Sequence, residues 1–254
     1  MEEYLATAQT ALEASKKIIS QYFRNGVTVE DKNDASPVTI ADRNAELAIR
    51  QVIESNHPSH AILGEEHGYS RAPSDFQWVI DPIDGTKSFI SGMPTFGTLI
   101  ALMESSAPKM GVIDMPMLNE RWVGIKGGGA KKNGEACKVS MKENLDDAIL
   151  YCTEPNMFSG QQKARFAELE NEVKLRRFGG DCYCYGLLAS GYIDLVVEGS
   201  LQYYDVMALV PVVEEAGGII TDWEGNSLKE GWNGLVVAAA TKSLHKQALE
   251  VLNR

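Results

Sequence analysis

The chain has 254 residues, 44% of them hydrophobic, which is enough to bury a sizeable core without help. Its 24 Lys and Arg stand against 35 Asp and Glu, a formal charge of 24 − 35 = −11 spread along the sequence. Such a surface repels phosphate backbones and anionic lipid, which argues against nucleic acid or a membrane as partner.

The opening stretch MEEYLATAQTALEASKKIISQYF has no basic start and no continuous apolar core, and no run approaches the roughly 20 apolar residues of a membrane span. The expectation is a cytoplasmic protein. Tyr4, Leu5, Ala8, Ala11, Leu12, Ile18, Ile19, Tyr22 and Phe23 recur at helical spacing with Ser15 on the same stripe, predicting one long helix. After the polar loop VEDKNDASPVT a second helix runs through about Ser55, with Thr39 as its N-cap. His57, His60 and His67 lack further ligands at zinc spacing and read as solvated or capping residues.

AILGEE, QWVID, TFGTLIALM, KMGVIDM and RWVGI follow as strands, predicting a largely antiparallel sheet packed on the two helices. KGGGAKKNGEACKVS suggests a phosphate-cradling loop, yet it lacks the GxxxxGK[ST] spacing, and Asn133-Gly134 signals a hairpin. From about Ala148, strands alternate with helices: AILYCT, a helix near 160–172, DCYCYGLLASG, IDLVVE, DVMALVPVVEEAGG, IITD, LVVAAA and a last helix. This divides the chain into an α+β half, 1–145, and an α/β half, 146–254. Cys137, Cys152, Cys182 and Cys184 form no CxxC pair and read as reduced, mostly buried thiols.

The stretch WVIDPIDGTKSF concentrates the chemistry. Asp81 closes an apolar run, Pro82 is expected to stop the strand, and Gly85 permits a tight turn before a short helix at Thr86 to Phe89. Two carboxylates and the Ile83 carbonyl then meet at one strand end, where a hard divalent cation would relieve their repulsion. A plain surface turn with helix-capping acids is the alternative. Glu65 and Glu66 in ILGEEHG, and Asp205 in YYDVMALV, supply further acids at element ends, as a two- or three-metal centre requires. EF-hand and haloacid-dehalogenase patterns both fail on spacing.

GEEH at 64–67, WVIDPIDGTKSF at 78–89 and YYDVMALVPVVEEAGG at 203–218, in this order, resemble the inositol monophosphatase superfamily over nearly the whole chain. The resemblance implies the layered αβαβα sandwich of the inositol monophosphatase and fructose-1,6-bisphosphatase type. It also implies Mg²⁺-dependent hydrolysis of small phosphate monoesters, with two or three metals per site (or Mn²⁺ in their place), and a homodimer. It assigns Glu65, Asp81 and the Ile83 carbonyl to a first metal, Asp81, Asp84 and Asp205 to a second, and Glu65 through water to a third. Thr86 and Asp42 would orient and deprotonate the attacking water, while the Gly85 and Thr86 amides hold the phosphate without a covalent enzyme intermediate. Lys32 matches a family lysine on a closing segment.

FGGDCYCYGLLASGYIDLVVE resembles the histidinol-phosphate phosphatase branch, with Asp181 where inositol monophosphatases carry a small uncharged residue. Asp181 and Glu198 are therefore the expected selectors of an ammonium-bearing substrate; for Asp181 the competing role is a helix N-cap. Inositol-1-monophosphatase or a broad-range monophosphatase is the neighbouring reading. A non-catalytic, protein-binding homologue is the reading from another class, and it would have no need of this full set of acids.

Overall fold

Thr7, Ala8, Ala11, Leu12, Ser15 and Ile19 form the buried stripe of the first helix, α1 (Glu2–Tyr22), as the apolar spacing predicts. The structure, a computed structural model, describes residues 1–26, 29–31 and 37–254. Lys32 lies outside the described residues. Short antiparallel strands β1 (Val29–Asp31) and β2 (Pro37–Thr39) lead into α2 (Ile40–Asn56). Thr39 caps α2 as expected, and Asp42, three residues on, closes the reciprocal capping box.

The next strands are β3 (Ala61–Gly64), β4 (Gly68–Ser70), β5 (Phe76–Asp84), then after the short helix α3 (Thr86–Ile90) β6 (Gly97–Glu104), β7 (Ala107–Met115), β8 (Glu120–Ile125), β9 (Gly129–Lys132) and β10 (Glu135–Ala136). They form one eight-stranded sheet, in the order β10-β9-β8-β7-β6-β5-β3-β4, antiparallel except for β3 against β5. Asn133 and Gly134, at φ 50° and 87°, make the β9–β10 turn the expected hairpin. Pro82 does not stop β5: the strand pairs with β6 at Asp81, bulges past Pro82 and Ile83, and pairs again at Asp84. The Pro82 carbonyl compensates by accepting the Thr98 hydroxyl at 2.8 Å.

Beyond residue 145 come β11 (Ile149–Cys152), α4 (Gly160–Glu172), β12 (Leu175–Phe178), α5 (Tyr183–Ala189), β13 (Leu195–Glu198), α6 (Tyr203–Val206), α7 (Leu209–Glu215), β14 (Ile219–Thr221), β15 (Val236–Ala239) and α8 (Lys242–Leu252). The five strands form a second sheet, β12-β11-β13-β15-β14. The stretch DVMALVPVVEE was expected as a single helix and is broken into α6 and α7, because Pro211 supplies no N–H and its ring crowds the carbonyl of Met207, four residues back.

Alternation along the strands assigns the layers. Trp78 and Ile80 of β5 face Ala8, Leu12, Ile49 and Ile53 of α1 and α2, whereas Val79 faces Tyr185, Leu188, Leu209 and Val213 of α5 and α7. Val196 of β13 meets those same two helices from the other side, and Leu195 and Val197 turn to Phe166, Leu169, Leu244 and Ala248 of α4 and α8. The result is an αβαβα stack. The middle layer sits close, since a Cβ on Gly111 or Gly124 would strike the backbone carbonyls of Ala208 or Pro211 at 2.0 and 2.2 Å. That contact fixes the α6–α7 corner, and with it Asp205, against the first sheet.

His67 is exposed and His57 is the C-cap of α2, as the solvated or capping reading expects, but the rings of His57 and His60 depart from it. His57 is buried, bonds Thr7 Oγ1 at 2.9 Å, and stacks on His60 with ring centroids 4.8 Å apart; the Trp78 indole N–H donates to His60 Nδ1 at 3.1 Å. The apolar floor between α1, α2 and β5 recruits both rings as aromatic packing, which ring spacing in the sequence does not reveal. Cys182 and Cys184 are buried free thiols, with Cys182 Sγ against Met115 Sδ at 3.9 Å.

Candidate metal and phosphate site

Asp81, Asp84 and Asp205 meet where the β5 bulge faces the start of α6, each offering a carboxylate oxygen within 4.8 Å of the others. Asp84 and Asp205 stand 121 positions apart in the sequence; the Gly111 and Gly124 contacts close that gap. Each acid is held by a backbone amide: Asp81 by Ile83 N–H (3.0 Å), Asp84 by Cys182 N–H (2.6 Å) and Asp205 by Gln202 N–H (2.7 Å). Such bonds aim the carboxylates without neutralising them.

Burial raises the affinity of all three acids for protons, and mutual repulsion adds to it. Asp81 is pushed well above the usual carboxylate range, first by burial and then by the charges of Glu65, Asp84 and Asp205. Asp84 is raised likewise by burial, Asp181 and Asp205. Asp205 is pushed up to about 7, with burial as the largest cause. The charges that act most on these three groups are those of other carboxylates, Glu65, Asp84, Asp181, Glu198 and Asp205. A cluster of hard oxygen donors that the protein leaves electrostatically uncompensated fits a divalent cation of the Mg²⁺ or Mn²⁺ kind.

Glu65, in the turn after β3, lines the same cavity of about 770 Å³. That turn is held from beneath by Glu46, which is fully buried: its carboxylate accepts Glu66 N–H at 2.7 Å and His67 N–H at 3.2 Å and pairs with Arg50 at 2.7 Å. Gly64 is required there, because a Cβ would lie 2.0 Å from Glu46 Oε1.

Thr86 opens α3 behind Gly85, whose left-handed φ of 87° turns the chain from β5 into the helix. The Thr86 hydroxyl has Asp42 Oδ1 at 3.3 Å and the Ile83 carbonyl at 3.2 Å as acceptors. Asp42 is buried, and its proton affinity is raised by burial, opposed by its bonds from Thr39.

Asp181 does not cap α5; the residue at that position is Cys182. Asp181 instead takes φ 46° at the head of the turn, packs its carboxylate over Gly85, and accepts the Ser88 hydroxyl at 2.7 Å. A Cβ on Gly85 would lie 2.7 Å from that carboxylate, so the β5–α3 turn and the α5 turn interlock at a glycine. Glu198 stands behind the wall, in an adjoining recess of about 110 Å³, where it accepts Thr153 N–H (3.0 Å) and the Tyr185 hydroxyl (2.8 Å). Asp84, Asp181 and Asp205 line both spaces. Sequence reading missed Glu46, Ser88, Thr153 and the Cys182 amide, which act through contacts 20 to 98 residues apart; only the Thr39-x-x-Asp42 box had a local signal.

Comparison with known proteins gives a consistent setting. The sequence model of the inositol monophosphatase family matches residues 1–254. The chain is 46% identical over 263 residues to the chloroplastic bifunctional phosphatase IMPL2 of Arabidopsis thaliana, covering 99% of this chain and 75% of that protein. It is 36% identical to a histidinol-phosphatase of Chlorobaculum parvum, over 91% of this chain and 89% of that one. The solved inositol monophosphatase of Zymomonas mobilis superposes with a TM-score of 0.92 at 42% identity, covering 100% of this chain and 98% of its own.

Proposed function

The chain belongs to the inositol monophosphatase family and is a metal-dependent phosphatase of small phosphate monoesters, and we propose that within the family it is a histidinol-phosphatase. The observation that carries this reading is Asp181, a carboxylate on the cavity wall within one residue of the Asp84-binding amide, where the organic part of a substrate lies once its phosphate is at the acids. Histidinol phosphate brings an ammonium group, and a carboxylate about 4 Å away in a cleft of effective dielectric near 20 attracts it by a few kcal/mol before desolvation. Curated relatives named histidinol-phosphatase at 34–36% identity support the same reading.

In this reading Mg²⁺ is the metal, with Glu65, Asp81, the Ile83 carbonyl, Asp84 and Asp205 as its ligands. Bound there, divalent cations would neutralise charge on the phosphate oxygens and acidify water. Thr86 orients the attacking water by accepting its hydrogen bond, and Asp42 receives the proton through the Thr86 hydroxyl. Gly85 and Thr86 amides at the start of α3 hold the phosphate. Glu198 sets the recess by fixing Thr153 and Tyr185. The protein acts in the cytoplasm as a homodimer; Leu175 and Phe178, 46% and 45% exposed on either side of Arg176 and Arg177 in edge strand β12, are apolar side chains that a second copy would cover.

Hydrolysis of inositol-1-phosphate is the second reading, favoured by the likeness to the Zymomonas mobilis inositol monophosphatase. kcat/KM for histidinol phosphate, inositol-1-phosphate and p-nitrophenyl phosphate, with Mg²⁺ and with chelator, separates them. A higher value for inositol-1-phosphate than for histidinol phosphate replaces the first reading with the second.

A further inference from the structure

We propose that a second small-molecule site, distinct from the catalytic cavity, lies between α1 and strands β7 to β9 and takes a small organic anion with an apolar body and a hydrogen-bond donor. The space is a cleft of about 560 Å³ that shares no lining residue with the catalytic cavity. Its depth comes from sequence. Gly129 and Gly134 line the rim at φ 77° and 87°, and a Cβ on either would meet nothing within 4 Å. The triglycine turn that suggested a phosphate cradle does not use its amides for one, since Gly127 and Gly129 N–H donate to the Glu215 carboxylate at 2.8 and 2.7 Å. The glycines clear room beside the cleft, and anion recognition falls to side chains.

Leu5 on α1 with Val123 and Ile125 on β8 gives the cleft a half-buried apolar wall. Lys16, Arg121 and Lys131 gather on the same lining, in a chain whose net charge is −11. Arg121 is committed to Asp114 at 2.7 Å and Glu13 at 2.9 Å. Lys16 donates to the neutral Asn119 side chain at 2.7 Å, and among the described residues Lys131 has no ion pair. The Lys16 charge also acts on Asp114 and Glu13, but among the described residues neither lysine is held in an ion pair, which leaves both heads open to an anionic ligand.

At the floor is a second, independent mark. Asp114 is 4% exposed; its Oδ1 accepts Arg121, but its Oδ2 is buried with no hydrogen-bond partner. Buried acceptors are almost always satisfied, so this oxygen calls for a donor that the chain does not supply, from ordered water or from a ligand in the cleft. Anion at the lysines, apolar body along Leu5, Val123 and Ile125, and donor toward Asp114 together define the ligand class.

8-Anilinonaphthalene-1-sulfonate has those three features and serves as the probe, titrated into the full chain with Mg²⁺ and saturating inorganic phosphate to occupy the catalytic cavity. One molecule per chain is expected to bind, more weakly as salt rises. Lys16→Ala with Lys131→Ala should weaken it at least tenfold, and Gln9→Trp, from an exposed α1 position that lines the cleft, should abolish it by filling the space. Both variants should keep wild-type kcat/KM. Unchanged affinity in the double lysine variant, or displacement of the probe in the wild type by phosphate beyond that caused by chloride at equal ionic strength and by no less in the double lysine variant, overturns the proposal. Should Gln9→Trp lose its native circular dichroism, the lysine variant alone decides.

Discussion

Asp42 serves two elements with its two carboxylate oxygens: Oδ2 accepts Thr39 N–H and hydroxyl at the start of α2, and Oδ1 lies 3.3 Å from the Thr86 hydroxyl at the start of α3. On the proposed reading of Asp42 as the base, the helix cap holds it in place. A base so anchored loses no freedom when a water arrives at Thr86, which is how preorganisation contributes to rate. Thr86→Ala should lower kcat about 10²-fold while calorimetric Mg²⁺ affinity stays near wild type. Equal losses in both would give Thr86 a structural part instead.

Asp81→Asn separates the cost of the acid cluster from its use. The Asn side chain can still accept Ile83 N–H, but it removes one of the charges that repel Asp84, Asp205 and Glu65. In chelator the variant should melt at or above the wild-type temperature. With Mg²⁺ the order should reverse, because the wild type gains ligand-linked stability and the variant does not. Activity should fall below about a tenth of wild type, losing metal catalysis worth several kcal/mol. A lower Tm in chelator than wild type would refute the electrostatic account.

The layers and the acid motifs were legible in the sequence because they rest on local signals: helical and alternating apolar periods, an Asn-Gly turn, acids at the ends of apolar runs. What escaped was set by packing across the chain. Pro82 looks like a strand end until β6 accommodates a bulge there, and Pro211 divides a continuous apolar run only because its place in the first turn of α7 forces the break. His57 and His60 read as polar by type and pack as rings by context. Asp181 has a cap-like sequence setting, yet its left-handed backbone turns the carboxylate to Ser88 and Gly85.

Glu46 should prove more important to the site than its distance in sequence suggests. Glu46→Ala removes the carboxylate that Arg50 Nε–H and the Glu66 and His67 amides donate to, and leaves the Arg50 guanidinium, itself 7% exposed, with the Gly68 carbonyl but no countercharge from Glu46. Breaking one side of a buried pair costs about 3–5 kcal/mol. The urea midpoint should drop accordingly, and in protein that remains folded the apparent Mg²⁺ affinity should weaken, since the turn carrying Glu65 is no longer fixed. Undiminished Mg²⁺ affinity would detach Glu46 from the site.

His245 gives the fold a pH dependence away from the catalytic cavity. Burial depresses its pKa below 6.5, and its Nε2 lies 2.8 Å from Thr221 Oγ1, whose hydroxyl also reaches the Asp222 carbonyl. The depressed group favours the fold above the unfolded pKa near 6.5, and that contribution is lost as pH falls toward the folded value. His245→Gln should therefore flatten the fall in urea midpoint between about pH 7.5 and 5.5 relative to wild type. Identical slopes in the two proteins would remove His245 from the explanation.

Asp181→Asn tests the substrate proposal most directly, because the structure makes the substitution nearly silent except in charge. The residue sits at φ 46°, a left-handed conformation that Asn tolerates better than other non-glycine residues, so the turn that presents the Cys182 amide to Asp84 should survive. The Asn carbonyl can keep the Ser88 hydroxyl, and the packing over Gly85 changes by no heavy atom. Burial raises the proton affinity of Asp181, while Ser88 and the Lys87 charge lower it, so an ammonium in the cavity would further favour the charged form. Removing that charge should reduce kcat/KM for histidinol phosphate about 10-fold or more, and for a neutral polyol phosphate by far less. A parallel fall for both substrates would make Asp181 a scaffold of the Asp84 turn, and the ammonium-bearing substrate would lose the residue that recommends it.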